Sequence, residues 1–343
     1  MRVAFLVPGP LGTISGGYGY DRRVIAGLRA EGHTVDAIEL TGRHPLPDEA
    51  AIAAARAAWA ALAPDAVPVI DGLGLPAFEN VLDPARAVGL IHHPVSLETG
   101  LPAGERQKLD AIERRMFSTF AQIIVTSEPT RDELTKSFTV PAERVAVVVP
   151  GTDPAPRSPG SGGPTCRILS VGTLQPRKGH DVLIRCLAKL YDLDWHLTIA
   201  GGGRDTACTD ALHALVAALN VGHRVTFAGE VVGDALDVLW QRADLFALAT
   251  HYEGYGMAIA EALSRGIPAV VTAGGAAGAL ITPEAGAAIA VGDEVTYAKV
   301  LRRLIFDTAL RRAAAEAAWR IGQGLPDWHA QAVTFGTLLK ASR

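Results

Sequence analysis

Twelve short aliphatic and β-branched runs punctuate this chain, and longer stretches rich in Ala, Leu and Arg separate most of them. A strand can pair with a parallel neighbour only through a crossover of a dozen or more residues, usually a helix, and the spacers suit that connection. The pattern therefore predicts repeated βα units around parallel sheets. Six candidate strands fall in the first half, at residues 3–7, 35–40, 67–70, 87–92, 122–126 and 145–149. Six more follow at 167–171, 196–200, 225–228, 245–249, 269–272 and 287–291. Between the two sets runs "PGTDPAPRSPGSGGPT", residues 150–165, where Pro, Gly and Ser dominate and no apolar position recurs. The expected class is α/β: a doubly wound parallel-sheet domain over 1–150, a linker over 151–165, a second such domain over 166–324, and a terminal helix over 325–343. Trp328, Val333, Phe335 and Leu338 mark the expected apolar face of that helix.

Two domains need enough apolar material for two cores, and 343 residues with 49% hydrophobic content supply it. Net charge is −4, with 14 basic and 18 acidic residues up to Pro150 and 18 of each after it, so neither half is a nucleic-acid-binding surface. Cys166, Cys186 and Cys208 are odd in number and lack a CxxC pair, which suggests neither a disulfide framework nor a zinc knuckle and fits a reducing cytoplasm. The opening "MRVAFLVPGPLG" is stopped by Pro8 and Gly9 after about six apolar positions, as a buried strand would be, not a signal peptide. No run reaches the roughly 18 apolar residues of a membrane span.

In doubly wound sheets ligands sit outside the carboxyl ends of the strands, so the loops there carry the functional information. After the first strand, "GPLGTISGGYGYDRRVIAGL" gathers Gly9, Gly12, Gly16, Gly17 and Gly19 ahead of a helix expected to open near Tyr18. Such a loop lets backbone amides approach an anion, or is simply flexible surface. Its counterpart "VGTLQPRKGHDVLI" sets Arg177 and Lys178 at a strand-to-helix junction, where they can meet a diphosphate or form a solvated basic turn. In "ATHYEGYGMAIAEALSRGIPAVVT", Glu253 lies in a glycine-bearing loop and Glu261 about one turn inside the next helix, expected over 257–265. Two carboxylates so placed can reach different parts of one extended ligand; otherwise Glu253 is merely exposed and Glu261 pairs with Arg265. That helix is apolar nearly all round, so a buried carboxylate on it would need a partner. His92 and His93 close the fourth strand at its carboxyl edge, each either a substrate contact or a structural histidine. No carboxylate or third histidine follows them at metal-ligand spacing, so no zinc site is expected.

Together these pieces resemble the retaining glycosyltransferases of family 4, which have the GT-B architecture. The similarity runs from Gly16–Gly17 through "VGTLQPRKG", "LTIAGGG" and "VTFAGEV" to the Glu-x7-Glu element in its strand–loop–helix setting. It implies two Rossmann-like domains facing a central cleft, with the last helix crossing back to the first. It further implies that Glu253 contacts the donor sugar, Glu261 the nucleotide ribose, and Arg177 and Lys178 the diphosphate, joined by amides near Gly16 and Gly17. His92 matches the position near the reaction centre; Gly229, Glu230 and Val231 would lie near the base, and Gly254, Tyr255, Gly256 and Met257 would supply amides between the two glutamates. Two departures stand out: Thr173 occupies a place where many members have arginine, and Gly278 one where a glutamate is common.

The expected activity is metal-independent retaining transfer from a nucleotide sugar, a UDP-sugar, to an acceptor hydroxyl, with no cofactor and no protein nucleophile. A sugar-nucleotide epimerase and a non-catalytic nucleotide-sugar-binding protein are the alternatives. The acceptor is expected to be a soluble small molecule or glycan, because the first domain has no Lys/Arg-rich amphipathic helix.

Overall fold

The computed structural model describes residues 1–98, 100–203 and 205–342. The chain divides into two compact units, Met1–Gly151 with Pro326–Arg343, and Thr152–Leu325.

In the first unit six parallel strands, β1 (Arg2–Pro8), β2 (Thr34–Leu40), β3 (Ala66–Asp71), β4 (Val88–Ile91), β5 (Gln122–Val125) and β6 (Val145–Val147), lie in the order β2-β1-β3-β4-β5-β6. The pleat sends alternate side chains to opposite faces: Val3, Phe5 and Val7 enter one core, Ala4 and Leu6 the other. Helix α1 (Gly16–Ala30) covers the first face, α2 (Glu49–Ala60) the second. Because the chain leaves β1 first for β2 on one side and then for β3 on the other, the sheet has its topological switch point between β1 and β3.

In the second unit β7 (Cys166–Val171), β8 (Trp195–Ala200), β9 (Val225–Gly229), β10 (Leu245–Leu248), β11 (Ala269–Thr272) and β12 (Gly286–Ile289) lie in the order β12-β11-β10-β7-β8-β9. Every strand lies within two residues of its expected bounds. The switch point falls between β7 and β10. Helices α9 (Glu294–Phe306) and α10 (Thr308–Gly322) follow the sheet, and α11 (Trp328–Ala341) joins the first unit, packed on α1.

Two details differ from expectation. Residues 152–165 lie along the second unit: Ser158 Oγ is within 3.0–3.3 Å of the carbonyls of Trp240, Gln241 and Ala243, and Ser161 N donates to Asp244 Oδ1 at 2.9 Å. Composition signalled a linker, but Ser158 meets the carbonyls left at the end of α7 (Asp234–Gln241). On α11 the buried positions are Ala332, Phe335, Gly336 and Leu339, whereas Val333 is 41% exposed. At 100° per residue, Val333 sits a full step round from Ala332.

Candidate functional site

In the second unit the loops leaving β7 and β10 are neighbours at the switch point. After β7 the chain makes one tight turn, Pro176–Lys178, and passes through Gly179, at φ 60°, into α5 (His180–Ala188). A Cβ at residue 179 would run into the carbonyl oxygen of Ala249, so glycine is required both for the left-handed backbone and for the close approach to the end of β10. That approach is fastened by His251 N donating to Arg177 O at 2.7 Å.

The side chains converge accordingly. Lys178 Nζ donates to Glu253 Oε1 at 2.6 Å, and Arg177 Nη1 lies 3.5 Å from Glu253 Oε2 while donating to Tyr252 O at 2.6 Å. Thr250 Oγ1 lies within 3.0–3.1 Å of Arg177 O, Tyr252 O and Glu253 Oε1. This is no solvated basic turn: the side chains of Lys178 and Arg177 are 14% and 16% exposed and that of Glu253 10%. Burial alone would push the Glu253 carboxyl up, but Lys178 and Arg177 outweigh it and hold the group down at about 2. Sequence reasoning placed Glu253 in a glycine-bearing loop; the fold buries it there between the two cations. His180, which the sequence reading passed over, is buried beside them. Burial, with Lys178 nearby, presses its imidazole down to about 4, so it is neutral, with Nε2 3.3 Å from Gly172 O.

Helix α8 (Met257–Ser264) follows Gly256, its N-cap, at φ 101°. Ile259, Ala260, Ala262 and Leu263 are buried, as expected, but Glu261 is partly exposed. Arg265 turns its guanidinium to Asp237 Oδ1 at 2.7 Å and to the backbone oxygen of Glu261 at 3.3 Å. Gly254, Tyr255, Gly256 and Met257 form the turn between Glu253 and Glu261. Gly229 ends β9 with Glu230 exposed and Val231 half-buried behind it, and a Cβ on Gly202 would lie 3.0 Å from Glu230 Oε2, so this carboxylate flanks the glycine run after β8. Thr173 lies half-buried after β7, and Gly278 falls in the turn Ala277–Leu280 after β11.

In the first unit α1 starts at Gly16, two residues before its expected opening. Ser15 is the N-cap, its hydroxyl accepting from Tyr18 N at 3.4 Å, so Gly16 and Gly17 belong to the first turn of the helix rather than to the loop. The loop itself is braced: Arg22 Nη1 donates to Leu11 O at 2.6 Å and Thr13 O at 2.9 Å, and Glu39 accepts from Leu11 N at 3.0 Å.

Strand β4 ends at Ile91, so His92 stands just beyond its carboxyl edge. Its Nε2 lies 3.1 Å from Asp21 Oδ1 on α1 and 3.2 Å from Asp71 Oδ2 at the end of β3. Both carboxylates are buried, and the imidazole is 18% exposed. The sequence showed no carboxylate at metal-ligand spacing from the histidines; the fold brings these two from 71 and 21 residues away. Among the described residues this is the group of three such side chains whose ligand-type atoms lie within 4.8 Å of one another. Its spacings are those of an Nε2–H shared by two acceptors. Burial would press the imidazole down, but Asp21 and Asp71 overcome it and raise the group to about 10. His93 Nε2 pairs instead with Glu98 Oε1 at 2.6 Å. Beneath this loop Glu113 of α3 (Ala103–Phe117) accepts from Val95 N at 2.6 Å and Ser96 N at 3.1 Å and also contacts Ser96 Oγ.

Comparison with known proteins gives these clusters a context. Residues 20–156 match the Glycosyltransferase Family 4 domain, and residues 155–320 match Glycosyl transferases group 1. A D-inositol 3-phosphate glycosyltransferase of Mycolicibacterium gilvum is 34% identical over 184 residues, 50% of this chain and 39% of the relative. One from Kineococcus radiotolerans is 31% identical over 261 residues, 68% of this chain and 58% of the relative. The chain thus spans about half the length of the curated relatives it matches. Among solved structures, sucrose-phosphate synthase from Thermosynechococcus elongatus superposes with a TM-score of 0.82 at 19% identity, covering 99% of both chains. HepE of Anabaena in complex with UDP and glucose superposes at 0.77 with 17% identity, over 99% of this chain and 100% of that one. At such identities the likeness shows the fold, which is GT-B. Among the described residues no helix is long and apolar enough to cross a membrane.

Proposed function

The chain belongs to glycosyltransferase family 4, and from that premise we propose that it is a metal-independent, retaining glycosyltransferase taking its sugar from a UDP-sugar. The observation that carries the reading is the convergence of Arg177, Lys178 and Glu253 at the switch point of the second unit. In glycosyl transfer the bond between the anomeric carbon and the diphosphate oxygen breaks, the electron pair leaves with the diphosphate, and the acceptor oxygen bonds to that carbon. The transition state is oxocarbenium-like, and negative charge builds on the leaving phosphate. Two nearly buried cations stabilise such charge strongly because little solvent screens them.

In this reading Glu253 has two tasks. Free of ligand it holds Lys178 and Arg177 in place; with donor bound it accepts from sugar hydroxyls while the cations turn to the diphosphate. Glu261 reads the ribose, the amides of Gly254, Tyr255, Gly256 and Met257 line the path between, and Gly229, Glu230 and Val231 flank the base. Gly16, Gly17 and His92 are the candidate ligand residues of the first unit. The acceptor attacks from the face the diphosphate leaves, and its proton passes to a phosphate oxygen, so no protein base is needed. UDP as carrier is supported by the HepE complexes with UDP, and a small hydroxyl-bearing acceptor by the relatives named for D-inositol 3-phosphate.

The test is thermal unfolding in EDTA against UDP, GDP, ADP and their sugar conjugates, followed by turnover with D-inositol 3-phosphate and other polyols. A ligand at 100 times its Kd adds roughly 2.7 kcal/mol, so a selective rise with UDP compounds is expected. Release of UDP only after a divalent cation is supplied would end the metal-independent reading. An inverted anomeric centre in the product would end the retaining one.

A further inference from the structure

His92 is the only candidate ligand residue of the first unit whose side chain is itself gripped by two buried carboxylates. Nε2 faces both Asp21 Oδ1 and Asp71 Oδ2, and a bare nitrogen lone pair would be repelled by an ionised carboxylate at either contact; burial raises the Asp21 carboxyl to about 6, so above that pH both are ionised. Nε2 therefore carries a proton. Several neighbours fix the surroundings. Asp71 Oδ1 accepts from Leu73 N at 2.7 Å, which locks that carboxylate. Tyr20 stands edge-on to the imidazole at 5.2 Å between centroids, and a Cβ on Gly17 would touch the ring at 3.4 Å. Thr126 Oγ1 ties down the His92 carbonyl at 3.1 Å. Among the described residues Nδ1 has no protein partner.

We propose that Asp21 and Asp71 are positioning residues that keep His92 an imidazolium, so that Nδ1–H is a fixed hydrogen-bond donor to a neutral oxygen of the sugar ligand. Two carboxylates more than cancel the charge of one imidazolium, so the cluster as a whole does not attract an anion; what it offers is direction. With Nε2–H committed, loss of the second proton would turn Nδ1 from donor into acceptor, and the contact with a ligand acceptor would be lost. A group so held cannot take the acceptor's proton, so His92 is not a general base.

The charged and titratable groups around the ring bear on this. From α1 come Asp21 and Tyr20, and from the end of β3 comes Asp71. His44, in the loop after β2, interacts with Asp71. On the histidine's own loop are His93 and Glu98, paired with each other, with Glu113 of α3 below them. Asp21 and Asp71 are the ones in contact with His92, and both raise its proton affinity.

The proposal rests on the sugar-transfer reading for its activity arm only. The first measurement is a pH titration of the His92 ring protons by NMR in the full chain, assigned by their loss in His92→Gln. Ring protons at the imidazolium shift throughout pH 7 to 9 are expected for the wild type, any step near pH 6 being the Asp21 carboxyl, and a change to the neutral-imidazole shift between pH 6 and 9 for Asp21→Asn and for Asp71→Asn. The second measurement is kcat/KM against pH. Wild type should hold level from pH 7 to 9, whereas Asp71→Asn should fall about tenfold or more as the ring deprotonates. His92→Gln, which keeps an N–H donor but cannot titrate, should be weakened at every pH without a slope. A wild-type ring at the neutral-imidazole shift by pH 8 overturns the proposal, as does a stoichiometric metal ion bound at the cluster. So does an Asp71→Asn profile as level as wild type once NMR shows the ring neutral. The wild-type titration needs no variant to fold. If no nucleotide sugar is turned over, the function reading fails while the NMR arm still decides the state of His92.

Discussion

At its switch point the second unit holds one carboxylate between two cations; at the same place in the first unit one imidazole lies between two carboxylates. The backbones are alike: in each, a strand ends, a loop turns, a helix begins, and the neighbouring strand's loop closes over it. What differs is the sign of the side chains delivered there. The second cluster carries a surplus of one positive charge and suits a diphosphate. The first carries a surplus negative charge only above about pH 6, to which burial raises the Asp21 carboxyl, and suits oriented hydrogen bonding to uncharged oxygens. In the proposed reading the same strand-end positions serve a diphosphate in one unit and uncharged oxygens in the other, because side chains can be exchanged there with the sheet left intact.

Breaking the second cluster at its centre should have the largest effect. Glu253→Gln leaves two nearly buried cations without their counter-charge, and a loss of about 3–5 kcal/mol is expected in urea unfolding at pH 7. Acid unfolding checks the cause. The native carboxyl is held at about 2, below its ordinary 4.5. Its contribution is therefore complete above pH 4.5 and disappears as pH falls towards 2. Wild type should lose stability more steeply than Glu253→Gln across that interval, and parallel curves would refute the ion-pair account.

Lys178→Ala removes charge stabilisation where the leaving group develops it, and kcat should fall on the order of 10²–10³-fold in single-turnover assays with donor saturating. A change within roughly threefold would mean that the second cluster is structural, and the contrast between the units would lose its functional meaning. Gly179→Ala tests the geometry beneath it. The added methyl meets the Ala249 carbonyl in a left-handed backbone, so a cost of about 1–3 kcal/mol is expected, with Lys178 displaced and kcat lowered alongside.

The first cluster should respond to the opposite end of the pH scale. His92 is raised well above the ordinary 6.5, so the stability it supplies is complete below pH 6.5 and is lost as pH rises towards 10. Between those values the melting temperature of wild type should fall relative to that of His92→Gln. A constant difference would show that the imidazole does not gain its proton from folding.

The strands were legible because a β-branched run between turn residues is local information, and the helices because their spacers are long and Ala/Leu-rich. The anchoring of Ser158 was not legible because a Pro/Gly/Ser stretch reads the same whether it is loose or pinned to the end of α7. Val333 misled because hydrophobicity was read without the 100° step. Arg177, Lys178 and Glu253 were legible as members of a family pattern, but their mutual contact, across 75 residues, was not. Asp21 and Asp71 were missed outright. Each looks ordinary in its own segment, and only the order β2-β1-β3-β4 brings them to His92. Helical spacing that sets Asp21 on one face with Val24, Ile25 and Leu28 was the available signal for Asp21; for Asp71, it was an acid closing a strand whose other residues are apolar.

Glycine gives the finest comparison between the units, and the smallest expected effect. Gly179 is required by backbone contact, whereas Gly17 sits in the first turn of α1, where an added Cβ meets only the His92 ring at an ordinary 3.4 Å. Gly17→Ala should therefore fold normally and gain up to about 0.5–1 kcal/mol, since alanine restricts the unfolded chain more than glycine. If the glycine at 17 exists to let a ligand reach the first-turn amide, the same variant should bind the donor more weakly despite its greater stability. Isothermal titration with UDP-glucose separates the two effects: weaker binding by a more stable protein assigns Gly17 to ligand approach. Unchanged binding would leave His92 as the side of the first cluster that meets the sugar.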